Sequence, residues 1–155
     1  MLAKQAEALV CGQESDQCIT TLGVIGVAQA RKGNQLLAIP YFEKSYNYLL
    51  RNLGQYQWKT LKHCANLGSL LVETGKVESA VQLVTPCAKE LNDVDVMDQI
   101  GPYLVLSQAL QGQKRYEDAE KTDRDLMRRL ERRSLQETEE YADALTSLAF
   151  NLYFQ

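Results

Sequence analysis

Histidine is almost absent from this sequence, and its scarcity removes much of catalytic and metal chemistry. His63 is the single histidine among 155 residues. This scarcity excludes metal sites built from several imidazoles and argues against histidine-based acid or base catalysis. The sequence also lacks a nucleophile elbow, a glycine-rich phosphate loop and an HExxH pair. No C-x-x-C spacing suited to zinc or redox chemistry occurs among the four cysteines, which are Cys11, Cys18, Cys64 and Cys87. We therefore predict no enzymatic activity, no metal and no cofactor.

Proline and glycine are also scarce, with three and nine copies. A β fold with many turns needs more of both, whereas the abundant Leu, Ala, Gln, Glu and Lys are residues that favour helices. Hydrophobic residues make up 45% of the chain, which is enough for the core of one ordinary domain. The composition predicts a single all-α domain.

The chain has neither a basic excess nor a long hydrophobic run. It carries 17 basic and 20 acidic residues, a balance that argues against binding to a phosphate backbone. Residues 22–30 form the longest apolar stretch, and they contain two glycines and a glutamine, so they are too short and too polar to span a bilayer. The first ten residues resemble neither a signal peptide nor an anchor. We predict no nucleic-acid or membrane partner and a reducing, cytoplasmic location.

A repeat of about 40 residues runs along the sequence. A pair formed by a large apolar residue and a small residue recurs at shifts of 42, 39 and 42 residues, in the order Ile25 and Gly26, Leu67 and Gly68, Leu106 and Ser107, Leu148 and Ala149. Each unit contains two segments with apolar residues at helical spacing, separated by a short turn. This arrangement predicts one helical hairpin per unit.

Small residues within the first helices predict close contacts between helices. A glycine inside a helix costs about 1 kcal/mol relative to alanine unless close packing needs the space. Gly26 and Gly68 occupy such positions, and Ala38, Ala80 and Ala119 lie early in the second helices. We expect the two helices of each unit to approach most closely at these residues.

The pattern resembles the tetratricopeptide repeat family, and its long period is similar to the branch that includes the kinesin light chains. The residues that carry the resemblance are Cys64, Leu67, Gly68, Leu71, Gly75 and Ala80 in the second unit and Tyr103, Leu106, Ser107, Leu110, Tyr116 and Ala119 in the third. The resemblance implies a right-handed superhelical solenoid of antiparallel helical hairpins, with about three full repeats and half a repeat at each end. Lys114 departs from the family pattern, because it stands where the turn glycine of the third unit is expected.

The repeat also sets the expected boundaries. The units cover about residues 17–56, 57–97, 98–137 and a truncated 138–155, after a half unit at 1–12. Half units at both ends suggest an excised piece of a longer protein. Pro86 predicts a kink near Thr85, and Pro102 predicts a helix start near Gly101. The expected helices cover about residues 2–12, 17–32, 36–52, 57–74, 78–92, 101–113, 117–133 and 138–154.

In the tetratricopeptide family, the first helices line a concave groove that holds a peptide or a partner helix. The resemblance places in this groove Val24, Val27, Lys62, Asn66, Ser69, Glu73, Val105, Gln108, Gln111 and Phe150. Asn66 matches an asparagine that often bonds the backbone of the ligand. The basic clamp for a chaperone's C-terminal carboxylate is absent, because its positions hold Gly23, Val27, Gly101 and Val105. Small apolar residues dominate the first and third units, which favours an apolar or helical partner.

These observations favour a non-enzymatic protein-interaction module. The alternative is a structural or regulatory solenoid segment of a larger multidomain signalling or scaffold protein, in which the other repeats cover part of the groove. Self-association is a further expectation, because a final helix without a partner exposes Leu145, Leu148 and Leu152.

Two local features are expected to be structural. Cys64 and Cys87 lie on inner helix faces and are predicted to act as small apolar residues of the core. Cys11 and Cys18 flank a turn and could approach each other, but packing without a bond is favoured in a reducing compartment. A run of basic residues is interleaved with acidic ones and is predicted to be a solvated helix face with local ion pairs. Its members are Arg128, Arg129, Arg132 and Arg133.

Overall fold

The computed structural model describes residues 15–89 and 96–155, without the side chains of Asp16 and Val96. Within these ranges the chain is entirely helical, as the composition predicts. The helix and half unit expected before residue 13 lie outside the described residues. The seven described helices are α1 (Asp16–Arg31), α2 (Gln35–Leu53), α3 (Trp58–Glu73), α4 (Val77–Val84), α5 (Val96–Gly112), α6 (Tyr116–Arg132) and α7 (Glu139–Phe154). None of them combines the length and the apolar character that a membrane crossing requires.

Each helix packs against the next one in the chain, and contacts also join α3 to α5 and α5 to α7. A first core cluster around Leu61 and Val84 joins α2, α3, α4 and α5. A second cluster around Leu126 and Leu130 lies between α5, α6 and α7. A third cluster packs Cys18, Ile19 and Leu22 of α1 against Leu49 of α2. Burying one leucine stabilises the fold by about 1.5–3 kcal/mol, so these three clusters hold the helices together.

The glycines inside α1 and α3 lie at close helix contacts, as predicted. A Cβ atom on Gly68 would lie 2.6 Å from Val84 Cγ1 and 2.8 Å from Val105 Cγ1. A Cβ atom on Gly26 would lie 2.7 Å from the ring of Phe42. All three distances are shorter than van der Waals contact, so neighbouring side chains fill the space that each glycine leaves free.

The turns between helices use the left-handed backbone region. Gly33 and Gly75 have φ values of 78° and 76° in the turns between α1 and α2 and between α3 and α4, where glycine carries no Cβ penalty. Lys114 and Ser134 occupy the turns between α5 and α6 and between α6 and α7, with φ values of 59° and 58°. The position predicted to need a turn glycine in the third unit therefore keeps the same conformation without one.

Two helix boundaries differ from the prediction. Helix α4 ends at Val84 and is followed by a turn that contains Pro86, so the expected kink is a helix end. Helix α5 extends back to Val96, and Pro102 lies inside it. A proline removes a single backbone hydrogen bond, and the burial of Pro102 in the core keeps it within the helix.

The cysteine predictions are correct on burial and wrong on bonding. Cys64 and Cys87 are fully buried, but a disulfide joins them across 23 residues of sequence. Cys18 is also disulfide-bonded, while Cys11 lies outside the described residues. The prediction assumed a reducing compartment, and that assumption excluded a bond that the packing of α3 against the segment after α4 brings within reach.

The basic run on α6 is only partly solvated. Arg128 pairs with Asp125 at 3.0 Å on the surface, as predicted. Arg129 is only 7% exposed, and its Nη1 donates a hydrogen bond of 3.0 Å to the Tyr103 hydroxyl. That hydroxyl donates in turn to Asp125 Oδ2 at 3.0 Å. Burial raises the pKa of Tyr103 to about 12, so its hydroxyl keeps its proton at neutral pH. Because Arg129 is buried and bonded to this hydroxyl, it has a structural role.

A buried polar network joins α5, α6 and α7. Asn151 Nδ2 donates a hydrogen bond of 2.6 Å to Asp123 Oδ2 and lies 3.5 Å from Ser107 Oγ. Ser107 and Ser147 are linked through their hydroxyl oxygens at 3.1 Å. Asp123 and Asn151 are 1% and 0% exposed, and Oδ1 of each residue has no hydrogen-bond partner in the structure. Burial raises the pKa of Asp123, although hydrogen bonds from its neighbours oppose the shift.

Candidate functional site

A pocket of about 390 Å³ opens between α1, α2 and α3, and we call it the α1–α3 pocket. One face of α1 and one face of α3 form its walls, because lining residues recur there at intervals of three and four. Two side chains of α2 complete it. The lining residues are Ile19, Thr20, Gly23, Val24, Val27, Phe42, Leu49, Trp58, Lys59, Lys62, His63 and Asn66.

The pocket has a buried apolar floor and an exposed apolar rim. Phe42 and Leu49 of α2 are buried beneath it. At the rim, Val24 is 65% exposed, Trp58 is 52% exposed and Val27 is 38% exposed. Large apolar side chains grouped at an open cavity typify a site that another molecule covers.

Positive charge is concentrated at the α3 side of the pocket. Lys59 and Lys62 are exposed there, and the ammonium of Lys59 lies 5.7 Å from the centre of the Trp58 ring. No acidic side chain is among the described residues that line the pocket. The chain has a net charge of −3, so the pocket differs in sign from the molecule as a whole.

His63 lies in the pocket wall next to Ser45. Its Nδ1 is 2.9 Å from Ser45 Oγ, and its ring centre is 6.1 Å from that of Phe42. Burial lowers the pKa of His63, and the charge of Lys62 lowers it further. The imidazole is therefore neutral at neutral pH.

The α1–α3 pocket continues along α1 and α3 into a second cavity, and we call the two cavities together the cleft. The second cavity has a volume of about 290 Å³, shares Val27, Phe42 and Asn66 with the α1–α3 pocket, and extends to Ser69 and Glu73. The structure therefore brings together the predicted groove residues of the first two units. These are Val24, Val27, Lys62, Asn66, Ser69 and Glu73.

The predicted groove residues of the last two units lie elsewhere. Val105 is 6% exposed and packs against Gly68, so it belongs to the core and is not accessible in a groove. Gln111 donates a hydrogen bond of 3.1 Å to Ser147 and links α5 to α7. Phe150 packs against Phe154, with ring centres 4.5 Å apart. None of these residues, nor Gln108, lines either cavity of the cleft.

Several lining residues were missed at the sequence level. Trp58 and Lys59 precede Lys62 by four and three residues, so helical spacing could have placed them on the same face. Phe42 and Leu49 come from a second helix, and a rule that assigns the groove to first helices does not consider them.

The resemblance to tetratricopeptide repeats depends on the repeat pattern of the sequence. No protein-family model and no curated protein matches this chain. The function must therefore be argued from the α1–α3 pocket.

Proposed function

We propose that the chain is a non-enzymatic protein-interaction module that binds a peptide segment of a partner in the α1–α3 pocket. The observation that carries the proposal is an open cavity with an apolar floor, an apolar rim and two lysines at one side. The proposed architecture is a right-handed solenoid of the tetratricopeptide type. The contacts of α3 with α5 and of α5 with α7 support it, because alternate helices of such a stack are neighbours.

The proposed ligand is an acidic segment that carries a large apolar side chain. Burial of that side chain contributes about 1.5–3 kcal/mol, whereas an exposed ion pair with Lys59 or Lys62 contributes about 0–1 kcal/mol. The apolar contact therefore provides most of the affinity. The lysines orient the segment and speed its association, because charge complementarity acts mainly on specificity and rate.

A random-peptide display library selected on the purified chain tests this proposal. We expect selected sequences to combine a large apolar residue with neighbouring acidic residues. Val24→Ser removes an apolar contact without adding charge and should weaken the binding of a selected peptide about tenfold in calorimetry, the equivalent of about 1.4 kcal/mol. Leu36→Ser is the matched control, because Leu36 is also 65% exposed and lies outside the cleft. Equal affinity of both variants for the peptide would contradict the proposal.

Charge reversal provides a second arm of the same test. The double variant Lys59→Glu with Lys62→Glu should bind the selected peptide more slowly. Added salt should slow association of the peptide with the wild-type chain but not with the variant, because screening weakens attraction in one and repulsion in the other. Lys76→Glu with Lys114→Glu makes the same change in net charge outside the pocket and should leave association unchanged. Selection of basic peptides by the wild-type chain would overturn the acidic part of the proposal.

The second candidate function is a structural or regulatory segment of a larger protein. The exposed apolar residues of α7 favour it, since Leu145 is 44% exposed, Leu152 is 49% exposed and Tyr153 is 82% exposed. Leu148 differs from the prediction, because it is buried.

The same α7 surface is the basis of the predicted self-association. We expect light scattering at micromolar concentration to show a dimer, and Leu145→Lys with Leu152→Lys to restore the monomer. A wild-type chain that stays monomeric under these conditions would contradict the prediction.

The cytoplasmic location stays a prediction. The disulfide between Cys64 and Cys87 argues against it, because structural disulfides persist mainly in oxidising compartments. The interaction function does not depend on the compartment.

A further inference from the structure

We infer that His63 offers a hydrogen-bond acceptor to the α1–α3 pocket, so that the bound segment contributes an N–H or O–H donor beside its apolar side chain. This inference rests on the proposed function and specifies the ligand further. The lysines select acidic groups near the pocket, and His63 selects a donor within it.

The position of Ser45 determines which ring nitrogen carries the proton. Ser45 is fully buried, and its Oγ lies 3.0 Å from the carbonyl oxygen of Tyr41 and 3.1 Å from that of Phe42. A carbonyl cannot donate, so the single hydroxyl proton of Ser45 serves these two oxygens. The third contact of Oγ is with His63 Nδ1, at 2.9 Å. In that contact Nδ1–H donates a hydrogen bond and Ser45 Oγ accepts it. Since buried polar groups satisfy as many hydrogen bonds as they can, this tautomer is favoured, and Nε2 keeps its lone pair.

The Nε2 edge of the ring faces α1 at a residue without a side chain. A Cβ atom on Gly23 would lie 3.4 Å from Cε1 and 3.9 Å from Nε2 of His63. Both residues line the pocket, so the absence of a side chain on Gly23 leaves this edge of the imidazole accessible from the pocket. A ligand group that fills the space beside Gly23 meets an acceptor.

The surrounding charges keep the ring neutral. Lys59 and Lys62 are the charged residues that line the pocket with His63, and both are on α3. The lining residues of α1 and α2 carry no charge. Burial and the charge of Lys62 both disfavour the imidazolium, which agrees with a pKa of His63 below its usual value. Acidification below that pKa converts Nε2 into a donor and abolishes the preference for a donor on the ligand.

Two small acids serve as probes of the inferred acceptor. 3-(4-Hydroxyphenyl)propionate has an aromatic ring for the apolar walls, a carboxylate for the lysines and a hydroxyl donor. 3-(4-Fluorophenyl)propionate has a similar shape and the same charge but no donor. The fluoro compound leaves a buried acceptor unpaired, which weakens its binding, so we expect the hydroxyl compound to bind about tenfold more tightly in an NMR titration at neutral pH.

Two variants separate the acceptor from the fold. His63→Asn retains an amide donor near Ser45 and removes the acceptor next to Gly23. Gly23→Ala leaves His63 in place and puts a methyl group over its Nε2 edge at ordinary contact distance, and alanine also favours a helix more than glycine does. Both variants should fold and bind the two acids with equal affinity. Retention of the tenfold preference by either variant would overturn the inference.

A measurement without ligand tests the tautomer directly. His63 is the only histidine of the chain, so a two-bond ¹H–¹⁵N spectrum of the imidazole contains one pattern and needs no assignment. We expect a protonated Nδ1 and an unprotonated Nε2 at neutral pH. A proton on Nε2, or equal binding of both acids to the wild-type chain, overturns the inference and leaves the pocket proposal intact. Binding of neither acid overturns the proposed acidic, apolar ligand, and the donor requirement with it.

Discussion

Replacement of Asn151 by leucine should lower the free energy of unfolding by about 3 kcal/mol at neutral pH. Asn151 donates the 2.6 Å hydrogen bond to the carboxylate of Asp123, and both residues are buried. Without this hydrogen bond, the buried carboxylate of Asp123 loses a donor that offsets the cost of its burial. Such a loss is among the most costly single changes in a protein core. Urea unfolding followed by circular dichroism measures the difference.

Two further variants control for this prediction. Asn52→Leu changes an exposed asparagine of α2 and should alter stability by no more than about 0.5 kcal/mol. Asp123→Leu combined with Asn151→Leu removes both polar partners and should recover part of the loss, because an apolar pair needs no hydrogen bonds. A loss for Asn151→Leu no greater than that for Asn52→Leu would show that the network contributes nothing.

The effect of Asn151→Leu should also depend on pH. Burial raises the pKa of Asp123 above its usual value, so the folded state binds this proton more readily than the unfolded state does. The associated stabilisation is complete below the unfolded pKa and is lost as pH rises through the folded pKa. Asn151→Leu removes a hydrogen bond that opposes the rise in pKa. The stability deficit of the variant should therefore shrink as pH falls and Asp123 becomes protonated. A deficit that is constant with pH would contradict this account.

Reduction of the disulfide between Cys64 and Cys87 should destabilise the fold by about 3 kcal/mol. The bond closes a loop across 23 residues, and loop closure of that size restricts the unfolded chain by about this amount. Unfolding of the oxidised and of the fully reduced chain, each measured with urea, gives the difference. Thiol labelling under denaturing conditions verifies the redox state of each sample.

The second disulfide requires its own control. Cys18 is also disulfide-bonded, so reduction of the wild-type chain breaks more than one bond. In the variant Cys64→Ala with Cys87→Ala, reduction reports only the remaining bond. The loss of unfolding free energy on reduction of the wild-type chain, minus the loss on reduction of this variant, should be about 3 kcal/mol for the pair of Cys64 and Cys87. Two labelled thiols at Cys64 and Cys87 in the air-oxidised wild-type chain would contradict the prediction.

The fold was predictable where the sequence repeats and less predictable where a contact depends on a helix end. Gly68 predicted a close helix contact because glycine destabilises a helix interior unless neighbouring groups need the space. The side chains of Val84 and Val105 occupy that space. The periodicity also placed Cys64 and Cys87 in the core. Their bond depends on the point at which α4 stops, at Val84, and helical periodicity does not determine that point.

Only the part of the candidate site that lies on single helix faces could be predicted from the sequence. Residues on one face of one helix follow from spacing, and Val24, Val27, Lys62 and Asn66 lie together along the α1–α3 pocket. Val105 shares that spacing but fills the space left by Gly68. A position that is exposed in one unit is therefore buried in the next. Contacts between units, which one sequence does not reveal, determine the difference.

Trp58 gives the chain an optical reporter for its own pocket. It is the only tryptophan in the sequence, it lies at the pocket rim, and 52% of its surface is exposed. All tryptophan fluorescence of the molecule therefore originates at the α1–α3 pocket. A segment that covers the indole displaces water from it and shifts the emission to shorter wavelength, whereas a ligand bound at α6 or α7 leaves the spectrum unchanged. The position of a single aromatic residue thus makes binding at this pocket visible in the unlabelled protein.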